Sequence, residues 1–546
     1  MPLTTDSQDV PVKIVGSSVF GRYPTISVER TYNMFISSSG DGQEEWLVNF
    51  PGYEAIQEMV AGGAEGRGLF HSVRGGFLIA VVAAKVYRIN AVASDPTDIG
   101  TLNASTGEVF IDENLSSQIC IVDSGDNTAT IYNYEEAAGA ISAAVFDSHS
   151  SDFSPNYVTY HNTYFIFGNA LTTNEGSNWV VYQSGADGTL GNAYDLTWVT
   201  TLALQTKPDF AKAVLRIPGK GNNIVVFGST VAEIWNDVGG LPVYQRMASV
   251  NIDYGCASVA TIAANEEYIA WLGINEKSSP SIMVMQGSNA ERISTDGLDH
   301  LLDSVNFPTS STAFMYRQDG HLFYIITFFD TSDNFSIVYD FTAKRLYDLT
   351  DWDFTAFPAR QIVYYNNRNY FISFKDGGLY EISSDITHYD VYAEEDGVQV
   401  DIRHEIPRTR LTNTYRVSDR PEKFKIKLFT FVIESGTTSN AYSEPQCFGY
   451  ILTENTNEII YTEDDLPILV EGGYCYSNKP RVDLTISKNG GITFSNTVSR
   501  ELKATAGYQN QLRWNNLGYA QQITYQLRFW GSGRFVVKNG TMEIGG

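Results

Sequence analysis

The chain has 546 residues, of which 63 are acidic and 37 basic, giving a net charge of −26 with 43% hydrophobic and 13% aromatic content. That length exceeds what one core needs and accommodates two or three domains, and the charge argues against a freely diffusing duplex-DNA binder, which needs a basic footprint. A conduit for DNA stays compatible, because an acidic wall repels phosphate and lets DNA pass without sticking.

Plentiful Gly (46), Tyr (33) and Phe (30), with no long window of capped helical periodicity, favour many short strands joined by turns. Cys120, Cys256, Cys447 and Cys475 are scattered without a CxxC pair, which argues against structural zinc and a disulfide framework; a Cys447–Cys475 pair stays open. The first 20 residues are polar and lack a basic n-region followed by an apolar core, and no run of roughly 18 apolar residues occurs. The expectation is a soluble protein made in a cytoplasm.

In chain order, residues 1–65 form an N-terminal arm with strand-like runs at 11–15, 29–35 and 45–49, the last ended by Phe50-Pro51-Gly52. This arm either closes a ring with a strand or grips a neighbour. From 66 to 385 a unit recurs: strand, tight polar turn, aromatic-rich strand, shorter strand. Its runs are 68–73, 77–82 and 85–89; 108–111, 118–123 and 128–132; 157–160, 163–168 and 179–183; 210–217, 223–228 and 230–236; 257–263, 267–272, 281–286 and 290–294; 312–318, 321–327, 335–339 and 344–348; 360–365, 368–374 and 378–383. Asp319-Gly320 and Asn366-Asn367 mark hairpin turns. Residues 189–204 read as a loop, and 296–306 as one short helix capped by Thr295 or Asp296. The spacing predicts an all-β fold, a β-propeller of about seven blades (six or eight also compatible), with an additional C-terminal β domain over 386–546 that carries an exposed loop near 436–465.

Catalytic motifs are missing from the sequence: there is no HExxH, GxSxG, P-loop or GxGxxG followed by a helix, and the seven histidines do not pair at ligand spacing. Asp330, Asp333, Asp340, Asp348, Asp351 and Asp353 cluster near one repeat and read as solvated loops, with cation binding or catalysis as lesser readings. Asp123, Asp126 and Asn127 echo a calcium loop faintly. The protein reads as a non-enzyme without cofactor or metal. The basic run containing Arg403, Arg408, Arg410, Arg416, Arg420 and Lys423 reads either as a charged strand face or as an inter-subunit or partner contact against the acidic remainder.

Three signatures follow one another. Arg30-Thr31-Tyr32-Asn33-Met34-Phe35 precedes Phe50-Pro51-Gly52. Val231-Ala232-Glu233-Ile234-Trp235-Asn236, with Gly239-Gly240 and Pro242 behind it, precedes Ile252-Asp253-Tyr254-Gly255-Cys256. Val284-Met285-Gln286-Gly287 precedes Ala290-Glu291-Arg292-Ile293-Ser294-Thr295. Over about residues 25–385 this order resembles the tail accessory, or packaged-DNA stabilisation, proteins of short-tailed bacteriophages.

The resemblance implies a propeller with extra β domains, forming the nozzle of the viral tail as a homo-hexameric ring around the DNA exit path below the portal and its adaptor ring. Such a virion protein is assembled in the bacterial host cytoplasm. It retains packaged DNA, passes double-stranded DNA without reading sequence, does not insert into a membrane, and offers surfaces to fibres, spikes or needles. The alternative is a sugar-active or glycan-binding β-propeller, which shares the fold but predicts a monomer with a ligand.

Overall fold

The structure, a computed structural model, describes residues 7–22, 28–40, 42, 44–60, 63–91, 96–135, 139–146, 153–169, 178–183, 195–305, 310–330, 334–395, 398–416, 422–435, 480–502, 507–531 and 533–545. Arg420, Asp333, Cys447, Cys475 and the tract 436–465 lie outside them. The chain divides into two compact units. One comprises Ser18–Ser27 and Gly52–His404; the other joins both chain ends, taking Met1–Ser17, Val28–Pro51 and Glu405–Gly546.

The larger unit is a succession of antiparallel ladders. Gly66–Ser72, Phe77–Val82, Lys85–Ile89 and Thr97–Thr101 form the first, and Val109–Glu113, Gln118–Asp123, Thr128–Asn133 and Ile141–Ala143 the second. In the third, Pro155–His161, Tyr164–Asn169, Asn178–Gln183 and Asp195–Ala203 are followed by Val145–Phe146, which pairs in parallel. Ala213–Arg216, Asn223–Phe227, Ala232–Asp237 and Tyr244–Ile252 make the fourth. In the fifth, Ile269–Asn275 carries Gly255–Cys256 and Ala263–Ala264 on one side and Ser278–Gln286, then Asn289–Arg292, on the other. Ser311–Gln318, His321–Phe329, Asn334–Asp340 and Arg345–Leu349 follow. Last come Ala359–Tyr365, Arg368–Ser373 and Leu379–Ser383, with Gly52–Gln57, His388–Glu395 and Val398–Glu405 added beyond them.

Second strands such as Phe77–Val82 and Gln118–Asp123 are buried at every position. They read as continuous apolar runs because both faces are covered. Apolar clusters join ladders: Phe77, Ile79 and Val81 of the first pack with Ile119, Ile121 and Tyr132 of the second, and Leu69 and Leu78 of the first pack with Tyr370 and Ile372 of the last. Buried ions stitch the same seams. Arg67 pairs with Asp123, and Arg360 is held between Glu65 and Glu108. The turns obey the sequence: Asp319 and Gly320 have φ of 47° and 84°, Asn366 and Asn367 48° and 62°, the left-handed pairs that two-residue hairpins require. The helix spans Asp296–Asp303, shorter than expected, with the Thr295 side chain accepting from the Leu298 N–H and Leu298 and Leu302 buried.

In the smaller unit one ladder runs Met34–Ser38, Glu45–Asn49, Phe535–Gly545, Phe424–Ser435, Gly507–Ala520, with Gln8–Val12 also on Phe535–Gly545. The other runs Arg30–Tyr32, Arg408–Leu411, Thr524–Trp530, Arg481–Ser487, Val498–Glu501. Their facing sides share an aromatic core: Phe429 stacks on Tyr525 at 4.2 Å, and Phe431 meets Trp514 at 5.7 Å and Phe529 at 6.5 Å.

Three expectations are corrected. The fold is all-β, but a β-propeller with a separate C-terminal β domain is not what the strands build. Among the described residues every sheet is an open ladder, two of them with a strand branching off, and none closes on itself through hydrogen bonds; the ladders differ in width instead of repeating one blade. The additional β unit is not C-terminal alone, because Gln8–Val12 and Glu45–Asn49 pair with Phe535–Gly545, Arg30–Tyr32 pairs with Arg408–Leu411, and Met34–Ser38 extends the ladder beyond Glu45–Asn49. Residues 189–204 were expected to be a loop; 189–194 lie outside the described residues, and Asp195–Ala203 is a strand paired with Asn178–Gln183; its three Thr residues among apolar ones blur any alternation in the sequence.

Candidate partner-binding surfaces

The first signature is structural in its immediate surroundings. Arg30–Tyr32 pairs with Arg408–Leu411. Asn33 is buried with φ of 55°, its Nδ2 donating to the Pro407 carbonyl at 3.2 Å and its own carbonyl accepting from the Phe50 N–H at 3.0 Å. Met34, next in the chain, and Pro51, which follows Phe50, are buried as well. Gly52 tolerates no side chain, since a Cβ there would meet the His388 and Ile386 carbonyl oxygens at 2.3 and 2.6 Å.

The second signature is half core, half surface. Trp235 is buried and donates to Glu233 Oε2 at 3.1 Å. Glu233, also buried, accepts from the N–H groups of Gln205 and Thr206 at 2.8 and 2.5 Å. Asn236 lies opposite Gln245, and the Gly255 carbonyl accepts from the Trp271 indole at 3.0 Å.

Asp253 and Tyr254 belong to a groove, and so does Arg292 of the third signature. The groove is open, about 480 Å³, with residues 249–254 along one wall, 288–292 along the other and Met283 between them. One wall exists because Tyr244–Ile252 leaves its ladder: Trp235 faces Arg246 while Glu233 faces Asn251, so 247–250 bulge out of the pairing, with Met247 and Val250 still packed on the core. The other wall, Asn289–Arg292, is the outermost strand of its ladder among the described residues. Arg292 is tied down by Asp296 at 3.3 Å and Asp299 at 2.9 Å, and Lys207 is shared at 4.0 Å by Asp253 and Glu276. Carboxylates therefore dominate the rim. Behind it, Ile293 donates to the Ile282 carbonyl and the Ser294 hydroxyl accepts from the Ile282 N–H, so these two position the strand and do not face the groove's opening. Tyr244–Ile252 and Asn289–Arg292 each end their ladder among the described residues, and a strand edge beside a groove can receive an extended partner segment.

The basic run splits by burial. Arg408 and Arg410 are fully buried: Arg408 donates to the Gly531 carbonyl at 3.1 Å, and Arg410 gathers the carbonyls of Ile14, Ser17 and Arg30, the Thr31 hydroxyl and the Glu29 carboxylate. Arg403, Arg416 and Lys423 are exposed; Arg403 approaches Asp390 at 3.5 Å and Arg416 binds Gln522 at 2.8 Å. Of the carboxylates weighed from sequence, Asp123 is bound to Arg67, Asp340 to His321 at 2.7 Å and Asp351 to Lys375 at 2.5 Å. Among the described residues no cluster of three or more His, Cys, Asp or Glu side chains suits a metal ion. Spacing gave no sign of the bulge 247–250 or of Ser288 and Asn289 across from it, because only pairing brings them together.

A family model described as "Phage_stabilise: Bacteriophage P22 Gp10, beta-propeller" matches residues 31–386. That description names a propeller, whereas the ladders of this chain are open and linear; the match concerns the residues aligned. No curated protein matches. Solved structures similar to this chain include virginiamycin B lyase from Staphylococcus aureus, at 9% identity and a TM-score of 0.40, covering 60% of this chain and 97% of that one. The WD40 β-propeller domain of Doa1 is similar at 9% identity and a TM-score of 0.38, covering 61% and 96%. The extracellular domain of a putative hybrid two component system from B. thetaiotaomicron is similar at 11% identity and 0.41, covering 89% and 59%. Likenesses this distant carry no argument about what the chain does.

Proposed function

Since the chain belongs to the phage stabilisation family of bacteriophage P22 Gp10, and is therefore a structural, non-catalytic phage protein that acts in stabilising packaged DNA, we propose that it forms the nozzle ring of a short tail. In this reading six copies surround the DNA exit path below the adaptor ring, and fibre, spike or needle proteins attach to them. Assembly takes place in the cytoplasm of the bacterial host. The family match over 31–386 carries the reading, and the net charge of −26 supports it. A surface that repels phosphate lets duplex DNA leave without sequence readout or retention by contact.

Roles follow by region. Residues 66–385 supply rigid mass and a lateral face, 1–65 fasten neighbouring elements, and 386–546 offer contacts to other tail proteins. The groove of Asp253, Tyr254 and Arg292 and the exposed Arg403, Arg416 and Lys423 are the surfaces of opposite charge best suited to contacts between copies or with partners. Six-fold repetition makes each weak contact act six times.

The test is mass measurement and negative-stain imaging of the purified chain, alone and mixed with a portal–adaptor complex. Six copies adding as one collar beneath the adaptor is the expected result. A chain that stays monomeric and ignores the complex overturns the nozzle reading.

A further inference from the structure

The loop 351–355, Asp-Trp-Asp-Phe-Thr, leads from Arg345–Leu349 towards Ala359–Tyr365 and holds an unusual conformation. Phe354 has φ of 65°, a region bulky residues rarely enter and one kept only where the surroundings enforce it. The enforcement is visible. The Asp351 N–H donates to the Thr355 carbonyl at 3.0 Å, and the Phe354 N–H to the Asp351 carbonyl at 3.2 Å. Asp353 Oδ1 accepts from the Thr355 N–H at 3.0 Å and its hydroxyl at 2.5 Å. Underneath, the buried Asp351 carboxylate accepts from the Tyr53 hydroxyl at 2.6 Å and the Lys375 ammonium at 2.5 Å, and Tyr53 stacks on Tyr389 at 4.4 Å.

This rigid base turns two large aromatic side chains outward: Trp352 is 40% and Phe354 47% exposed. Trp352 lies flat on His404, 3.9 Å between centroids and 9° between planes, so one indole face is fixed. Polar groups flank it. Asp351, Asp353 and Asp390 all act electrostatically on His404. Arg403 stands beside Asp390 at 3.5 Å and Glu54 at 3.8 Å. Asp390 is 3% exposed, yet its Oδ1 accepts no hydrogen bond among the described residues; His388 and Arg403 approach it outside hydrogen-bond geometry.

We propose that the Trp352–His404 platform, with Asp353, Asp390 and Arg403, is a carbohydrate-binding surface for a pyranose-containing polysaccharide. A pyranose has one apolar C–H face, which packs on an indole, and a rim of hydroxyls that both donate and accept. Carboxylate and guanidinium groups at the platform's edge supply the complementary acceptors and donors. Nucleotides fit less well, because their phosphates meet the exposed carboxylate of Asp353. An apolar peptide would desolvate Asp353 and Arg403 without satisfying them. The site does not depend on the ring proposed above.

The experiment uses the full chain, labelled and applied to a printed array of bacterial polysaccharides, followed by titration of the strongest hit against tryptophan fluorescence. Wild type binds; Trp352→Ala binds roughly 30-fold more weakly, as truncation of a central aromatic anchor does. Trp352→Phe retains most of the affinity, Asp390→Asn loses part of it, and the melting temperature holds for all three. If Trp352→Ala lowers the melting temperature, Trp352→Phe and Asp390→Asn decide the matter alone. A wild-type chain that binds no polysaccharide overturns the proposal, as does binding that survives Trp352→Ala. If Trp352→Ala instead removes the chain from assembled tails while no polysaccharide binds, the platform belongs to a protein partner and the proposal fails.

Discussion

The Nδ1 of His161 lies 2.7 Å from the Tyr244 hydroxyl, and its Nε2 lies 2.9 Å from the Gly221 carbonyl. A neutral ring protonated on Nε2 satisfies both, with the Tyr244 O–H donating to Nδ1 and Nε2–H donating to Gly221. Burial holds the imidazole below its ordinary pKa of 6.5, against the Gly221 carbonyl, which favours the charged form. His71 and His404 are lowered too, again chiefly by burial. Because the folded pKa values lie below the unfolded one, the unfolded chain takes up protons first as the pH falls through about 6.5, and stability falls with it. The urea midpoint is expected to be flat above about pH 7.5 and to drop between about pH 7 and 5. His161→Gln should weaken that dependence while lowering the midpoint throughout. A midpoint that rises on acidification over this interval contradicts the account.

Arg67 is fully buried and donates to the carbonyls of Gly107 at 2.8 Å, Ala83 at 3.0 Å and Ala104 at 2.7 Å besides pairing with Asp123. Arg67→Met leaves Asp123 as an uncompensated buried charge and is expected to cost about 3–5 kcal/mol in chemical denaturation. Adding Asp123→Leu should recover only part, because Asp123 also accepts from the Ala104 and Gly125 N–H groups.

Arg410 performs the corresponding task in the smaller unit, fastening residues 14–17 and 29–31 from a strand nearly 400 positions away. A lysine reaches one or two of those acceptors, not the planar set. Arg410→Lys is expected to expose the segment around Ile14 to limited proteolysis and to lower stability by about 2–5 kcal/mol. Unchanged cleavage kinetics would show that the segment is held by its strand pairing alone.

Gly255 has no room for a methyl group: a Cβ there would lie 2.4 Å from Ser229 C and Thr230 N. Both contacts are backbone, so relief requires moving the chain. Gly255→Ala is expected to destabilise by about 1–3 kcal/mol, seen as a lower melting temperature.

Glu291 sits on the exposed strand Asn289–Arg292 at the groove's edge. Glu291→Lys reverses a rim charge without touching the core. The melting temperature should stay within about 1–2 °C, since surface changes are usually small. Incorporation into the portal–adaptor assembly should slow, because rim charges act mainly on association. Equal assembly rates for both chains would remove this groove from the contact surface.

What the sequence determined by itself is local. Asp319-Gly320 and Asn366-Asn367 demanded left-handed turns and have them; the sequence offered Thr295 or Asp296 as a cap and Thr295 caps the helix; the runs at 77–82 and 118–123 are strands. The ordered signatures placed the chain in its family because they are contiguous stretches, readable without a fold. Tertiary structure decided which charges go inward and which strands share a sheet. Arg408 and Arg410 look in sequence like Arg403 and Arg416, yet the first pair is buried and the second exposed, because burial depends on carbonyls supplied by residues 14–31 and 531. The strand Asp195–Ala203 lacks a period, and the stack of Trp352 on His404 joins positions on different strands and loops. Such pairings are set by long-range hydrogen bonds and packing, whose partners no local window contains.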